Sequence, residues 1–146
     1  MRLLILLLPL GLAGCGVFDF LNGSQLDELR RNRQRWDALE IRSYDYEHRK
    51  SCFCQPVLNQ RVRVEVRNGV VTRTVNVATG EEVSDPYITW PTIDELFDQT
   101  EQLLRTDYKL KITYDRALYF PARVSGDVPR ALDDEFTTTA ENLVQR

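Results

Sequence analysis

Histidine is almost missing from this chain, and His48 is the only one. A single imidazole falls short of a structural zinc site, where four ligands are the rule. It also leaves any serine or cysteine nucleophile one candidate base. Neither a Gly-x-Ser-x-Gly element nor a glycine-rich phosphate-binding loop ending in Gly-Lys-Ser/Thr occurs. The apolar run Leu3–Leu10 is well below the roughly 20 residues that cross a bilayer as a helix. No basic stretch is dense enough to suggest nucleic acid as a partner, and the formal net charge is −3. Cysteine is scarce and oddly counted at three, an awkward number for an exported protein.

What remains is the composition of a globular protein, 42% hydrophobic and 28% charged over 146 residues, enough for one domain. Its most informative stretch is Tyr44–Cys54. Alternate residues of a strand share a face, so Tyr44, Tyr46 and His48 point one way and Asp45, Glu47 and Arg49 the other. Cys52 and Cys54 would follow on the tyrosine face, but side chains two apart on a straight strand lie about 6.5–7 Å apart. A disulfide needs Cβ atoms at about 3.5–4.5 Å. Whether these are bonded or are two thiols therefore depends on a bend at Phe53, and Gln55-Pro56 signals that the chain is turning there.

The remaining elements read in order. Ser24 caps a helix to about Ala38, with Leu26, Leu29, Arg33, Trp36 and Leu39 on one side. Its arginines read as a solvated face balanced by acids rather than a site for lipid head groups. Asn22-Gly23-Ser24 reads as a turn. Val62, Val64 and Val66 alternate with charges up to Asn68-Gly69, a strong hairpin signal. A plain two-residue turn pairs Val66 with Val71, Val64 with Arg73 and Val62 with Val75, which leaves Arg73 a misfit in an apolar row. Thr92 and Glu95 form a capping box for a second helix whose face is Ile93, Leu96, Phe97, Thr100, Leu103 and Leu104. Tyr108–Tyr114 is a strand, Tyr119–Ser125 returns with Pro121 at its edge or start, and Phe136, Thr138 and Ala140 mark a short last strand. The expected fold is α+β, an antiparallel sheet of five to six strands with two helices on one face.

The N-terminus stands apart. Arg2, the apolar run and Leu12-Ala13-Gly14-Cys15 resemble the signal and lipobox of bacterial lipoproteins. That resemblance implies cleavage before Cys15 and lipidation of its sulfur and new amino group. Gly16, rather than aspartate, leaves the outer membrane as the default destination. The expected organisation is a signal peptide over 1–14, a lipidated cysteine and tether over 15–23, and a domain over 24–146. Cysteine counting then closes, because only Cys52 and Cys54 remain, and an oxidising compartment makes a structural disulfide the default.

A wider pattern is also familiar. Trp36, Tyr44-x-Tyr46, Cys52-x-Cys54, Asn68-Gly69, Thr92-Ile93-Asp94-Glu95-Leu96-Phe97, Tyr114-Asp115, Phe120-Pro121 and Asp133-Asp134-Glu135-Phe136 occur in this order. The set resembles a family of small bacterial lipoproteins and secreted proteins whose domain has no assigned function. One departure is Tyr119-Phe120-Pro121, where the family pattern has Gly-Tyr-Pro. The resemblance supplies no catalytic residues and no cofactor.

The expectation is a membrane-anchored, non-catalytic binding module of the cell envelope, facing the periplasm, with another envelope protein or a small ligand as its partner. Tyr44, Tyr46, Trp90, Tyr119 and Phe120 form the candidate ligand surface, with a plain core role as the competing reading. The alternative function is metal binding (copper or zinc) or thiol redox chemistry through His48, Cys52 and Cys54. Asp127, Asp133, Asp134 and Glu135 lack the spacing of a calcium loop and read as a solvated acidic loop.

Overall fold

A computed structural model describes residues 16–85, 87–106, 108–127 and 135–146. The lipobox, Asp133 and Asp134 lie outside the described residues. Helix α1 (Gly16–Asp37) precedes β1 (Tyr44–Cys52), β2 (Val62–Arg67) and β3 (Val70–Asn76). Helix α2 (Ile93–Leu104) is followed by β4 (Lys109–Tyr114), β5 (Pro121–Asp127) and β6 (Phe136–Gln145). The six strands form one sheet in the order β3-β2-β1-β6-β5-β4, and every pairing is antiparallel. The α+β class, the antiparallel sheet and the two helices are as the sequence predicts.

Helix α2 starts as expected. Thr92 Oγ1 accepts from the Glu95 N–H and the Glu95 carboxylate accepts from the Thr92 N–H, a complete capping box. Its buried residues are Ile93, Leu96, Phe97, Thr100 and Leu104. Helix α1 lies antiparallel to it. Arg30 meets Glu101, Arg33 meets Asp98, and the Trp36 indole donates to Asp94 at 2.9 Å. Arg30 and Arg33 are therefore engaged with α2, and Arg33 also sits over the Phe97 ring. The helix begins well before Ser24. The residues read as a tether, and the turn read at Asn22-Gly23-Ser24, are thus helical backbone.

The core lies between these helices and one face of the sheet. It holds Leu29, Trp36, Tyr44, Tyr46, Val62, Val64, Val66, Ile93, Phe97 and Phe120. Fully burying a large apolar side chain stabilises by about 1.5–3 kcal/mol relative to exposure, so this cluster dominates the fold's stability.

The β2–β3 hairpin corrects the simple register. Asn68 (φ 51°) and Gly69 (φ 79°) both take positive φ, as a type I′ turn requires, and Val66 does face Val71. A bulge then intervenes, so that Val64 faces Thr74 and Val62 faces Asn76. Thr72 is the extra residue, and its hydroxyl donates to the Glu65 carbonyl at 3.2 Å. The shift moves Arg73 to the opposite face, where it meets Glu65 and Glu82, each at 3.4 Å. The misfit of the apolar row is a product of assuming an unbulged ladder.

Candidate functional site

The inward row of β1 runs from the closed core towards an open cleft. At its start, the Tyr44 hydroxyl oxygen accepts from the Ile93 N–H at 2.8 Å, and the Tyr46 hydroxyl donates to the Pro91 carbonyl. Burial raises the pKa of both phenols above their ordinary value. These hydroxyls anchor the start of α2 to the sheet.

That placement overturns most of the expected ligand surface. Tyr44, Tyr46 and Phe120 are core residues with essentially no exposure, because the helices close over the sheet there. Trp36 packs edge-on against both Tyr44 and Phe120. Tyr119 is half-buried at the β4–β5 turn, with the Arg35 guanidinium 5.2 Å from its ring centre. Of the five rings, Trp90 lines a cavity.

That cavity is a cleft of 370 Å³ between the ends of β1 and β6, the second half of α2 and the Trp90-Pro91 segment. His48, Lys50, Cys52, Phe53, Leu103, Tyr108 and Phe136 are among its walls. Tyr108 and Phe136 meet edge to face at 5.6 Å. Gly126 makes room for the Phe136 ring, since a Cβ there would lie 2.5 Å from it. Leu103, Tyr108 and Phe136 were readable as core-facing positions, but nothing in their spacing marks a cleft, which forms only where strand ends and a helix end diverge.

His48 is the deepest polar group of the cleft. Its ring is 4% exposed and lies edge-on to Tyr46 at 6.2 Å and to Trp90 at 5.8 Å. Nδ1 is buried without a hydrogen-bond partner. Burial first, and the Lys50 charge second, push its pKa down to about 4. The imidazole is therefore neutral at physiological pH. Among the described residues no carboxylate bonds its Nδ1, and so low a pKa is far from the near-neutral value that suits acid–base catalysis.

Cys52 closes β1, and its N–H and carbonyl both bond the Asn59 side-chain amide, at 3.1 and 3.3 Å. Asn59 thus stands in for a neighbouring strand and lets the chain turn. Past that point Cys52 and Cys54 are joined as a disulfide, with Cα atoms 5.2 Å apart, and Phe53 projects between them, 89% exposed. The bend at Phe53 is the condition the sequence set for such a bond. With both sulfurs bonded to each other, His48, Cys52 and Cys54 do not assemble as metal ligands. Among the described residues no group of three or more histidine, cysteine, aspartate or glutamate side chains could hold a metal ion.

Residues 28–145 match the family of unknown function DUF6174. The chain belongs to that family. No curated protein and no solved structure matches it. The DUF6174 match covers the second part of α1, all of α2 and the whole sheet, so cleft, disulfide and buried histidine all fall inside it. Among the described residues no helix is long and apolar enough to cross a membrane.

Proposed function

We propose that this chain is a bacterial lipoprotein of the cell envelope, held by lipid on Cys15, whose DUF6174 domain binds a small ligand or a segment of another envelope protein without transforming it. The observation that carries the binding reading is the cleft beside His48. It combines aromatic walls with a neutral imidazole that can accept or donate a hydrogen bond, the mixture typical of ligand pockets. Its depressed pKa, and the lack of an orienting carboxylate among the described residues, favour recognition over proton transfer. The anchor reading is supported by Arg2, the short apolar run Leu3–Leu10 and Leu12-Ala13-Gly14-Cys15.

Two experiments test the halves separately. Wild-type protein should label with palmitate and fractionate with membranes, while Cys15→Ser should do neither; equal fractionation of the two would overturn the anchor. A small-molecule screen by NMR should yield compounds that shift the Trp90 indole and His48 ring resonances and leave Trp36 in place. Hits that move none of the cleft resonances would overturn the binding site.

One observation favours a second reading, thiol–disulfide exchange: both cysteines line the cleft, and the ring they close is very small. Replacing both with serine separates the two. A binding module keeps its ligands, whereas an exchange protein loses all activity.

A further inference from the structure

We infer that the end of the sheet carrying Phe53 faces the bilayer, and that Phe53 and Tyr87 insert into the lipid interface beside the anchor. The inference rests on the lipoprotein reading above. Its geometry comes from a single transverse row of paired residues. Cys52 pairs with Phe136, Phe136 with Gly126, and Gly126 with Leu110. These four mark one end of β1, β6, β5 and β4.

Helix α1 leaves the domain at this same end. Gln25 donates to the Leu110 carbonyl at 3.1 Å, whereas Trp36, further along the helix, reaches Tyr44 and Phe120 at the opposite end. The contacts from α1 to α2 run the same way, from Arg30 with Glu101 to Trp36 with Asp94. The helical backbone between Gln25 and Gly16 then rises about 14 Å further, beyond the row and towards Cys15. The cysteine end of β1 is three strand spacings from β4, roughly 14 Å across the sheet. A lipid on Cys15 therefore turns the Phe53 end of the sheet, rather than the Arg116 end, towards the membrane surface.

That end presents what an interface accepts. Phe53 is 89% exposed and Tyr87 is 95% exposed. Tyr87 shares a surface depression with Cys54 and Leu58, which places it beside the disulfide loop. Tyrosine is enriched at the head-group level of membranes, where its apolar body and polar tip are both satisfied, and the Phe53 ring beside it adds apolar area that gains by leaving water. Among the described residues at this end, Lys50 and Lys109 stand against Asp127 and Glu135, and the contact proposed is aromatic rather than electrostatic, hence weakly dependent on salt. The cleft, whose wall includes Phe53, lies at this end as well.

Full-length protein purified from membranes, with acylation confirmed by mass, is reconstituted into vesicles of phosphatidylethanolamine and phosphatidylglycerol, with and without brominated phosphatidylcholine. Three variants each add one indole: Phe53→Trp, Tyr87→Trp and, at the far end of the sheet, Arg116→Trp. After subtraction of wild-type emission, the indoles at 53 and 87 should be quenched several-fold more strongly than that at 116, at low and high salt alike. Quenching at 53 and 87 no greater than at 116 in acylated protein would overturn the orientation alone. Protein that carries no acyl chains would overturn the anchor reading and this inference together.

Discussion

The phenol oxygen of Tyr44 accepts the N–H of Ile93 at 2.8 Å, so a sheet residue satisfies a free backbone donor at the start of α2. Helix starts leave such donors unpaired unless something supplies an acceptor. Tyr44→Phe keeps the ring and removes the acceptor. Leaving that buried N–H unpartnered should cost about 1–3 kcal/mol, read as a lower urea midpoint with unchanged slope. An unchanged midpoint would mean that the bond contributes nothing.

His48 should make stability depend on pH. The unfolded side chain titrates near 6.5, the folded one at about 4, because burial disfavours the imidazolium. Between these values the unfolded chain binds a proton that the native state refuses. The contribution is complete above pH 6.5, falls as pH drops, and is lost on passing below pH 4, by roughly 3 kcal/mol in all. Urea unfolding between pH 7 and 4.5 should show this slope in wild type and a flatter one in His48→Phe. Because the chain has one histidine, NMR titration reads it without ambiguity; a ring pKa near 6.5 would contradict the burial.

The sequence announced much of this fold and hid specific parts of it. Asn68-Gly69, the Thr92–Glu95 box and the alternation in β1 and β2 are local signals, and each produced the element it implies. The Thr72 bulge is not local, because it answers the pairing of a whole hairpin, and so the face of Arg73 was misread. Tyr44 and Tyr46 of the expected ligand surface do share one face of β1, but periodicity cannot say whether a face is covered. Helices α1 and α2 cover it from Tyr44 to Tyr46 and leave it open beyond His48. The early start of α1 was masked by Asn22-Gly23-Ser24, residues that favour turns when nothing else holds them.

Tyr119 explains a departure in the family pattern. It sits at φ 66°, the left-handed region in which glycine is at ease and other residues are strained by about 1–2 kcal/mol. The bend survives without glycine, held by the Asp115 carboxylate accepting from the Ala117 and Leu118 N–H groups. Arg35 stacked on the ring returns about 0.5–1 kcal/mol. Tyr119→Gly should therefore change stability by less than about 1 kcal/mol, while Tyr119→Val, branched and unstacked, should lose at least 1–2 kcal/mol. Equal urea midpoints for the two variants would contradict this account.

Two glycines give opposite expectations for the same substitution. At Gly126 a Cβ would lie 2.5 Å from the Phe136 ring and 2.8 Å from Leu110, so Gly126→Ala should destabilise by about 1–3 kcal/mol and push Phe136 into the cleft. At Gly23 a Cβ meets nothing within 4 Å and the backbone is helical, so Gly23→Ala should stabilise by about 0.5–1 kcal/mol. Thermal melts of both variants check the pair. A neutral or destabilising Gly23→Ala would restore the turn in place of the extended helix.

The lipid anchor is the centre of the account, and intact mass spectrometry of the protein extracted from membranes tests it most directly. The account predicts a chain beginning at Cys15 that carries acyl groups. It also predicts no reaction with an alkylating reagent until a reductant opens the Cys52–Cys54 bond. A chain that retains Leu3–Leu10, or begins at Cys15 without lipid, would contradict it.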